Sequence, residues 1–244
     1  MPEEVLVAVA HGSTDPRASA TVAELAGLVR QRRPGLDLRT AFLGHAPPSL
    51  LQVLGTIEAG REARVMPLLL TAAYHSKADI PRMLAAVPRP QVSYGATLGP
   101  HPRLISALER RLAEADPAAL ADPARTAVVL AAAGSSDPEA NATIAGMARQ
   151  WQARTGWRAV RPAYASAAGP TPAEAVTALR QTGVSRVVVA TYLLAPGLFA
   201  DRIRAASLAA GASAVSPALG ACAEVADVLL DRFEETGSRQ RSAA

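Results

Sequence analysis

Apolar runs and amphipathic stretches alternate along the whole chain. Val5–Ala10 is a continuous apolar run that ends in His11-Gly12-Ser13, the pattern of a strand covered on both faces and running into a loop. Asp15 follows as an N-cap with Pro16 at the first helical position, and the helix is predicted to continue to Arg33, stopped by Pro34-Gly35. Leu36–Leu43, Ala63–Thr71 and Gln91–Leu98 are the next predicted strands. Their predicted helices are Pro48–Ala59, a segment opened by Ser76-Lys77-Ala78-Asp79 as a capping box, and Pro102–Ala115. Asp116–Arg125, rich in Ala, Asp and Pro, is predicted to be a linker. Beyond it come predicted strands at Thr126–Ala132, Trp157–Ala163, Arg186–Leu194 and Ala212–Leu219. Thr171, Pro172 and Glu174 form a second capping box. The last helix is predicted over Ala223–Glu235, ending at Gly237, with 238–244 as a frayed tail.

Strands that alternate with helices imply an α/β fold with parallel sheets covered by helices on both faces and right-handed crossovers. The pattern divides into two similar lobes, 1–115 and 126–237, joined by 116–125. For a lobe of four units the expected strand order is 2-1-3-4. Strands 1 and 3 are then neighbours from which the chain winds away in opposite directions, and the crevice at their carboxyl ends is where such sheets bind ligands. His11 follows strand 1 and His75 follows strand 3, so both are predicted at the mouth of one crevice. His45 follows strand 2.

The second lobe repeats the first with one systematic change. Ala10-His11-Gly12-Ser13-Thr14-Asp15-Pro16 is answered by Ala132-Ala133-Gly134-Ser135-Ser136-Asp137-Pro138. Leu68–His75 is echoed by Tyr192–Phe199, and Leu98-Gly99-Pro100-His101 by Leu219-Gly220-Ala221-Cys222. All 4 histidines lie in the first 101 residues; in register, His11, His75 and His101 become Ala133, Phe199 and Cys222. Backbone-determining residues survive the duplication and imidazoles do not. This predicts a single working site in the first lobe, with Ala133 and Phe199 in a chemically silent counterpart.

Composition narrows the partners. The formal net charge is +4, and Lys77 is the only lysine among the basic residues. The arginines are dispersed and aromatic residues make up 4% of the chain, which argues against nucleic acid and in favour of a small polyanionic ligand. No apolar run approaches the roughly 18–20 residues of a membrane span, and the acidic start Met1-Pro2-Glu3-Glu4 is unlike a signal peptide. The single cysteine, Cys222, suits a reducing cytoplasm and is expected to be a small buried apolar residue. Internal duplication points to a monomer.

Imidazoles at a crevice mouth can ligate Fe, Co, Ni or Zn or accept protons near neutral pH. The chain has no HExxH, no cysteine pair and no carboxylate cluster beside these histidines, so a closed structural zinc site is not expected. An open, weakly held metal suits a protein that gives the metal away. A phosphoryl-transfer reading is disfavoured because Ala10 stands where histidine phosphatases carry arginine before His-Gly. His101, before Pro102, is expected to pack or cap at a helix entrance, and Phe199 to lie in the core or line a cleft between the lobes.

In these motifs the chain resembles the class II tetrapyrrole chelatases of the sirohydrochlorin cobaltochelatase/ferrochelatase group, in their long two-lobe form. The resemblance rests on Ala8–Ser13, on Pro67–Leu70 leading to His75, on His75-Ser76-Lys77-Ala78-Asp79-Ile80-Pro81, on Leu98–Pro102, and on Tyr164–Pro170 and Tyr192–Phe199. It implies insertion of Fe2+ or Co2+, with Ni2+ also compatible, into sirohydrochlorin on the way to sirohaem or cobalamin. The metal would be a substrate, with no permanent cofactor. It also implies that His11 and His75 match the two metal-site histidines of the family. Many short members carry a glutamate after the second strand; here the sequence is Phe42-Leu43-Gly44-His45, and His45 is the expected substitute as a third ligand. Ser13, Ser76, Arg82 and Arg103 are candidates by position to bind the macrocycle's carboxylates, and the cleft between lobes is its expected seat. A non-catalytic metal or tetrapyrrole carrier is the alternative.

Overall fold

The structure, a computed structural model, describes residues 4–73, 75–87 and 91–243; the side chains of His75 and of residues 239–243 lie outside the description. The chain forms two compact units, Met1–His101 with Ala221–Ala244, and Pro102–Gly220.

In the first unit β1 (Val5–Ala10), β2 (Asp37–Phe42), β3 (Ala63–Pro67) and β4 (Val92–Tyr94) form a sheet in the order β2-β1-β3-β4. All the pairings are parallel, with Val5 beside both Asp37 and Ala63. In the second unit β5 (Thr126–Ala132), β6 (Ala159–Tyr164), β7 (Arg186–Tyr192) and β8 (Ala214–Val215) repeat it in the order β6-β5-β7-β8. This is the strand order expected from the sequence. Every residue of β1 and of β5 is buried, because a central parallel strand has helices over both of its faces.

Side-chain alternation along β1 divides the helices between the two faces. Val5, Val7 and Val9 share a cluster with Leu50, Val53 and Leu54 of α2 (Leu50–Gly55) and Ile80 of α3 (Ile80–Ala85). The opposite face receives α1 (Pro16–Arg32) and α9 (Ala223–Ala243), which touch each other, β2 and β3. Arg32 joins Asp227 at 2.8 Å and Arg33 joins Glu234 at 3.1 Å along this helix pair. In the second unit α7 (Pro172–Gln181) and α8 (Leu198–Ala209) supply Val176, Leu179 and Ile203 to one cluster. The sheet is further packed by α6 (Pro138–Thr155), on β5 and β6, and by α4 (Pro102–Ala115), on β7 and β8.

The compact units therefore differ from the lobes 1–115 and 126–237. The helix that follows β4 packs on the second sheet, and the last helix packs on the first. An amphipathic helix specifies a need for an apolar sheet face and not which sheet provides it. In α9 the anchor is Arg64 of β3, buried at 3% exposure. It pairs with Glu4, donates to the Phe233 carbonyl at 3.3 Å and lies 4.8 Å from the centre of the Phe233 ring. Gly237 does not end this helix, which runs to Ala243. A Cβ there would collide with the Arg64 guanidinium, so the glycine provides room for a neighbour rather than a stop.

The segment 116–125, expected as the linker, carries short helical elements of its own: Asp116 caps α5 (Pro117–Ala121), and a 3-10 turn, Pro123–Arg125, follows. Ser76 and Asp79 do not form a capping box. His75–Asp79 is a π-helical turn leading into α3, and Asp79 makes no side-chain cap bond. The caps at Asp15 and Thr171 are as predicted. Cys222 is buried. Among the described residues no helix is long and apolar enough to cross a membrane.

Candidate metal site

His11 and His45 sit where β1 and β2 end. Beyond the last strand residues the parallel ladder continues for two more bonds: Leu43 N–H donates to the Ala10 carbonyl at 3.0 Å and Gly44 N–H to the His11 carbonyl at 3.1 Å. Phe42 N–H donates to the Pro48 carbonyl at 2.9 Å and closes the intervening loop. The loop after β1 is drawn so close to the loop after β2 that a Cβ on Gly12 would strike the Gly44 carbonyl, and Gly12 has φ +89°. Only glycine meets both conditions without strain.

This approach brings His11 and His45 together. Both are exposed, their ring centres are 6.3 Å apart and their planes differ by 19°. His45 lies in the left-handed region at φ 60°, a conformation that costs a non-glycine residue roughly 1–2 kcal/mol. It is off the strand, since β2 ends at Phe42, so strand alternation does not decide where it points. His11 Nδ1 is 3.1 Å from the Gly12 carbonyl oxygen, which orients the ring and leaves Nε2 facing outward from that contact. Among the described residues no three His, Cys, Asp or Glu side chains converge.

The other expected site residues separate into groups. The backbone of His75 opens the π-helical turn after β3; its side chain lies outside the described residues. Ser76 is buried, and its hydroxyl is used within its own turn, accepting from Ala73 N–H and donating to the Ala73 carbonyl, each at 3.0 Å. Ser13 accepts from Asp15 N–H at 3.0 Å, and Ser135 does the same for Asp137 in the second unit. Ser13 and Ser76 thus both use their hydroxyls in backbone turns, and the Ser13 turn, repeated by Ser135, is a feature of the scaffold in both units. Arg82 is exposed on α3. Arg103 is exposed on the first turn of α4, in the second unit. His101 lies 3.9 Å from the Asp231 carboxylate. Asp15 is held below the usual carboxylate range by hydrogen bonds from the Arg17 side chain and backbone.

The second unit keeps the scaffold and lacks the imidazoles. Ala165 and Ser166 N–H groups donate to the Ala132 and Ala133 carbonyls, both at 2.9 Å. Gly134, at φ +85°, crowds the Ser166 carbonyl. Ala167 repeats the left-handed backbone of His45 at φ 59°. The His11–His45 pair is therefore Ala133–Ala167 in the second unit. Phe199 is not core: it is 41% exposed, next to Leu198 at 62%, at the start of α8. The matched left-handed residue pairs His45 with His11, and strand periodicity alone could not reveal it. The usable signal was the glycine retained after both His11 and Ala133.

Comparison with known proteins agrees with this duplicated architecture. A family profile described as CbiX matches the chain twice, over residues 5–115 and 127–236. A sirohydrochlorin cobaltochelatase of Priestia megaterium is 27% identical over 201 residues; the match covers 80% of this chain and 65% of that protein, so the chain spans just under two thirds of its length. A sirohydrochlorin ferrochelatase of the same organism is 28% identical over 210 residues, covering 82% of this chain and 77% of the relative. Among solved structures, SirB from Bacillus subtilis with Fe3+ superposes with a TM-score of 0.82 at 24% identity, covering 98% of both chains.

Proposed function

Because this chain belongs to the CbiX family, matched over both of its halves, we propose that it is a sirohydrochlorin chelatase that inserts Fe2+ or Co2+ into the macrocycle. The single observation that carries this reading is the paired His11 and His45 rings at the carboxyl ends of β1 and β2, 6.3 Å apart, in the unit that has kept its histidines. The names of the two Priestia megaterium relatives support the substrate and both metals.

In this proposal His11, His45 and His75 receive the metal, which is a substrate and not a resident group. Insertion must remove two pyrrole N–H protons and pass the ion to four ring nitrogens. Imidazole serves both demands, as a ligand that releases divalent ions readily and as a proton acceptor near neutral pH. The His11 and His45 rings are exposed, as a site that passes its ion to incoming nitrogens requires. Arg82 and Arg103 are the guanidinium groups proposed to pair with macrocycle carboxylates. The enzyme would act as a monomer in the cytoplasm, in the formation of sirohaem or a cobalamin precursor; the lone, buried Cys222 fits a reducing compartment.

The test incubates purified protein anaerobically with sirohydrochlorin and Fe2+, Co2+ or Ni2+ and follows the absorption spectrum. Multiple turnovers are expected with iron or cobalt, and at least a tenfold slower rate for His11→Ala and for His75→Ala. Wild-type rates in both variants would refute the site. An unchanged macrocycle spectrum with every metal would refute the activity and favour a carrier.

A further inference from the structure

The two units provide an internal comparison around the turn that carries His75. Gly95 N–H donates to the Val65 carbonyl at 3.0 Å and Ser216 N–H to the Val189 carbonyl at 2.8 Å. Leu98 bonds to Leu69, and Leu219 to Leu193, in the same way. This register makes Tyr94 the counterpart of Val215, which pair with Val65 and Val189 respectively. The segments after β3 and β7 also start alike, with Lys77 N–H donating to the Ala73 carbonyl at 2.9 Å and Asp201 N–H to that of Gly197 at 3.0 Å. In this frame His75, Ser76 and Tyr94 correspond to Phe199, Ala200 and Val215. Where the three polar residues occur, the chain forms a π-helical turn; where they are replaced, it runs directly into the regular helix α8.

The two hydroxyls brace successive points of this segment. Tyr94 donates to the carbonyl of Ser76 at 3.0 Å, reaching from β4, and the Ser76 hydroxyl is bonded to both backbone groups of Ala73 at 3.0 Å. A π-helical turn interrupts the regular i→i+4 pattern, and any backbone carbonyl it buries needs another donor; Tyr94 provides one. Burial pushes the Tyr94 phenol up to about 12, so it remains a donor throughout the neutral range.

We infer that Tyr94 is a positioning residue for metal handling: its hydroxyl, acting with Ser76, holds the π-helical turn that carries His75 in the form needed to receive the ion. The inference rests on the proposed role of His75 in metal transfer, and predicts that the anchor has value only while that histidine is present, as its joint loss with the histidine in the second unit implies.

The experiment titrates the full-length protein with Co2+ alone, without macrocycle, in wild type, Tyr94→Phe, His75→Ala and the double variant. Tyr94→Phe keeps the ring and removes only the donor. It is expected to weaken Co2+ binding about tenfold, the scale on which partners that orient a ligand act, and to add nothing in the His75→Ala background. Ser76→Ala should behave in the same way. In turnover, Tyr94→Phe should raise KM for the metal about tenfold with kcat within twofold of wild type. An equal loss in both backgrounds, or wild-type affinity in Tyr94→Phe, overturns the inference while leaving the proposed activity intact. Wild-type Co2+ affinity in His75→Ala removes the metal role of His75, and this inference with it.

Discussion

Replacing Gly12 with alanine tests whether the metal site depends on how closely two loops approach. Gly12 has φ +89°, and a Cβ would strike the Gly44 carbonyl. Two costs add. The left-handed conformation costs a residue with a Cβ roughly 1–2 kcal/mol, partly offset by about 0.4–1 kcal/mol from a stiffer unfolded chain. Relieving the collision requires the loops to part, which breaks the Gly44 N–H bond to the His11 carbonyl at 3.1 Å, a further loss of about 1 kcal/mol. The expected destabilisation is about 1–2.5 kcal/mol. Gly35 isolates the first cost, because its φ is +88° with open space where a Cβ would go; Gly35→Ala should cost about 1 kcal/mol or less. Gly134 repeats both costs in the second unit, with φ +85° against the Ser166 carbonyl. Equilibrium urea unfolding followed by far-UV circular dichroism measures the stabilities. Fluorescence of Trp151 and Trp157, both in the second unit, reports Gly134→Ala separately. Co2+ titration completes the comparison: Gly12→Ala should weaken binding at least tenfold by separating His11 from His45, whereas Gly134→Ala should bind as wild type. If Gly12→Ala is no less stable than Gly35→Ala, the close-approach argument is wrong. If Gly134→Ala weakens Co2+ binding equally, the two-histidine site is misplaced.

Arg64→Ala should destabilise the first unit by about 2–4 kcal/mol, through loss of a charge-assisted bond and a cation–aromatic contact. Hydrogen exchange should then speed up in α9 and β3 and stay unchanged in α6 and α7; protection of α9 at the wild-type level would contradict its anchoring by Arg64. Asp37 is held below the usual carboxylate range, chiefly by the hydrogen bond from Arg39 and then by Arg61, against an opposing effect of burial. A depressed folded-state value contributes stability that is fully present above the unfolded value of about 3.9 and is lost as pH falls through the folded one. Asp37→Asn should therefore cost about 1 kcal/mol at pH 7, and the difference from wild type should vanish toward pH 2. Urea midpoints at both pH values decide this, and a difference that persists at pH 2 would show that the ionised carboxylate is not the cause.

Much of this architecture can be read without coordinates. Apolar runs such as Val5–Ala10 and Thr126–Ala132 locate strands that must be covered on both faces, and right-handed crossovers leave few orders for four parallel strands. The repeat without histidines shows which half carries the imidazoles. These features are legible because they depend on periodicity and on residue identity, which are local. Other features depend on which surfaces meet. α4 and α9 occupy sheets outside their own repeats, since an amphipathic face carries no label for its partner. Gly237 resembles a helix stop until Arg64 is found beside it, and Ser76 resembles a helix cap until its hydroxyl is seen bonded to Ala73. The pairing of His45 with His11 arises from a left-handed residue and from a glycine that lets one loop touch another. Residue type and spacing determined the strand order and the half of the chain that carries the imidazoles. Tertiary contact decided which imidazoles come together, because their placement is set by backbone approach between segments more than thirty residues apart in sequence.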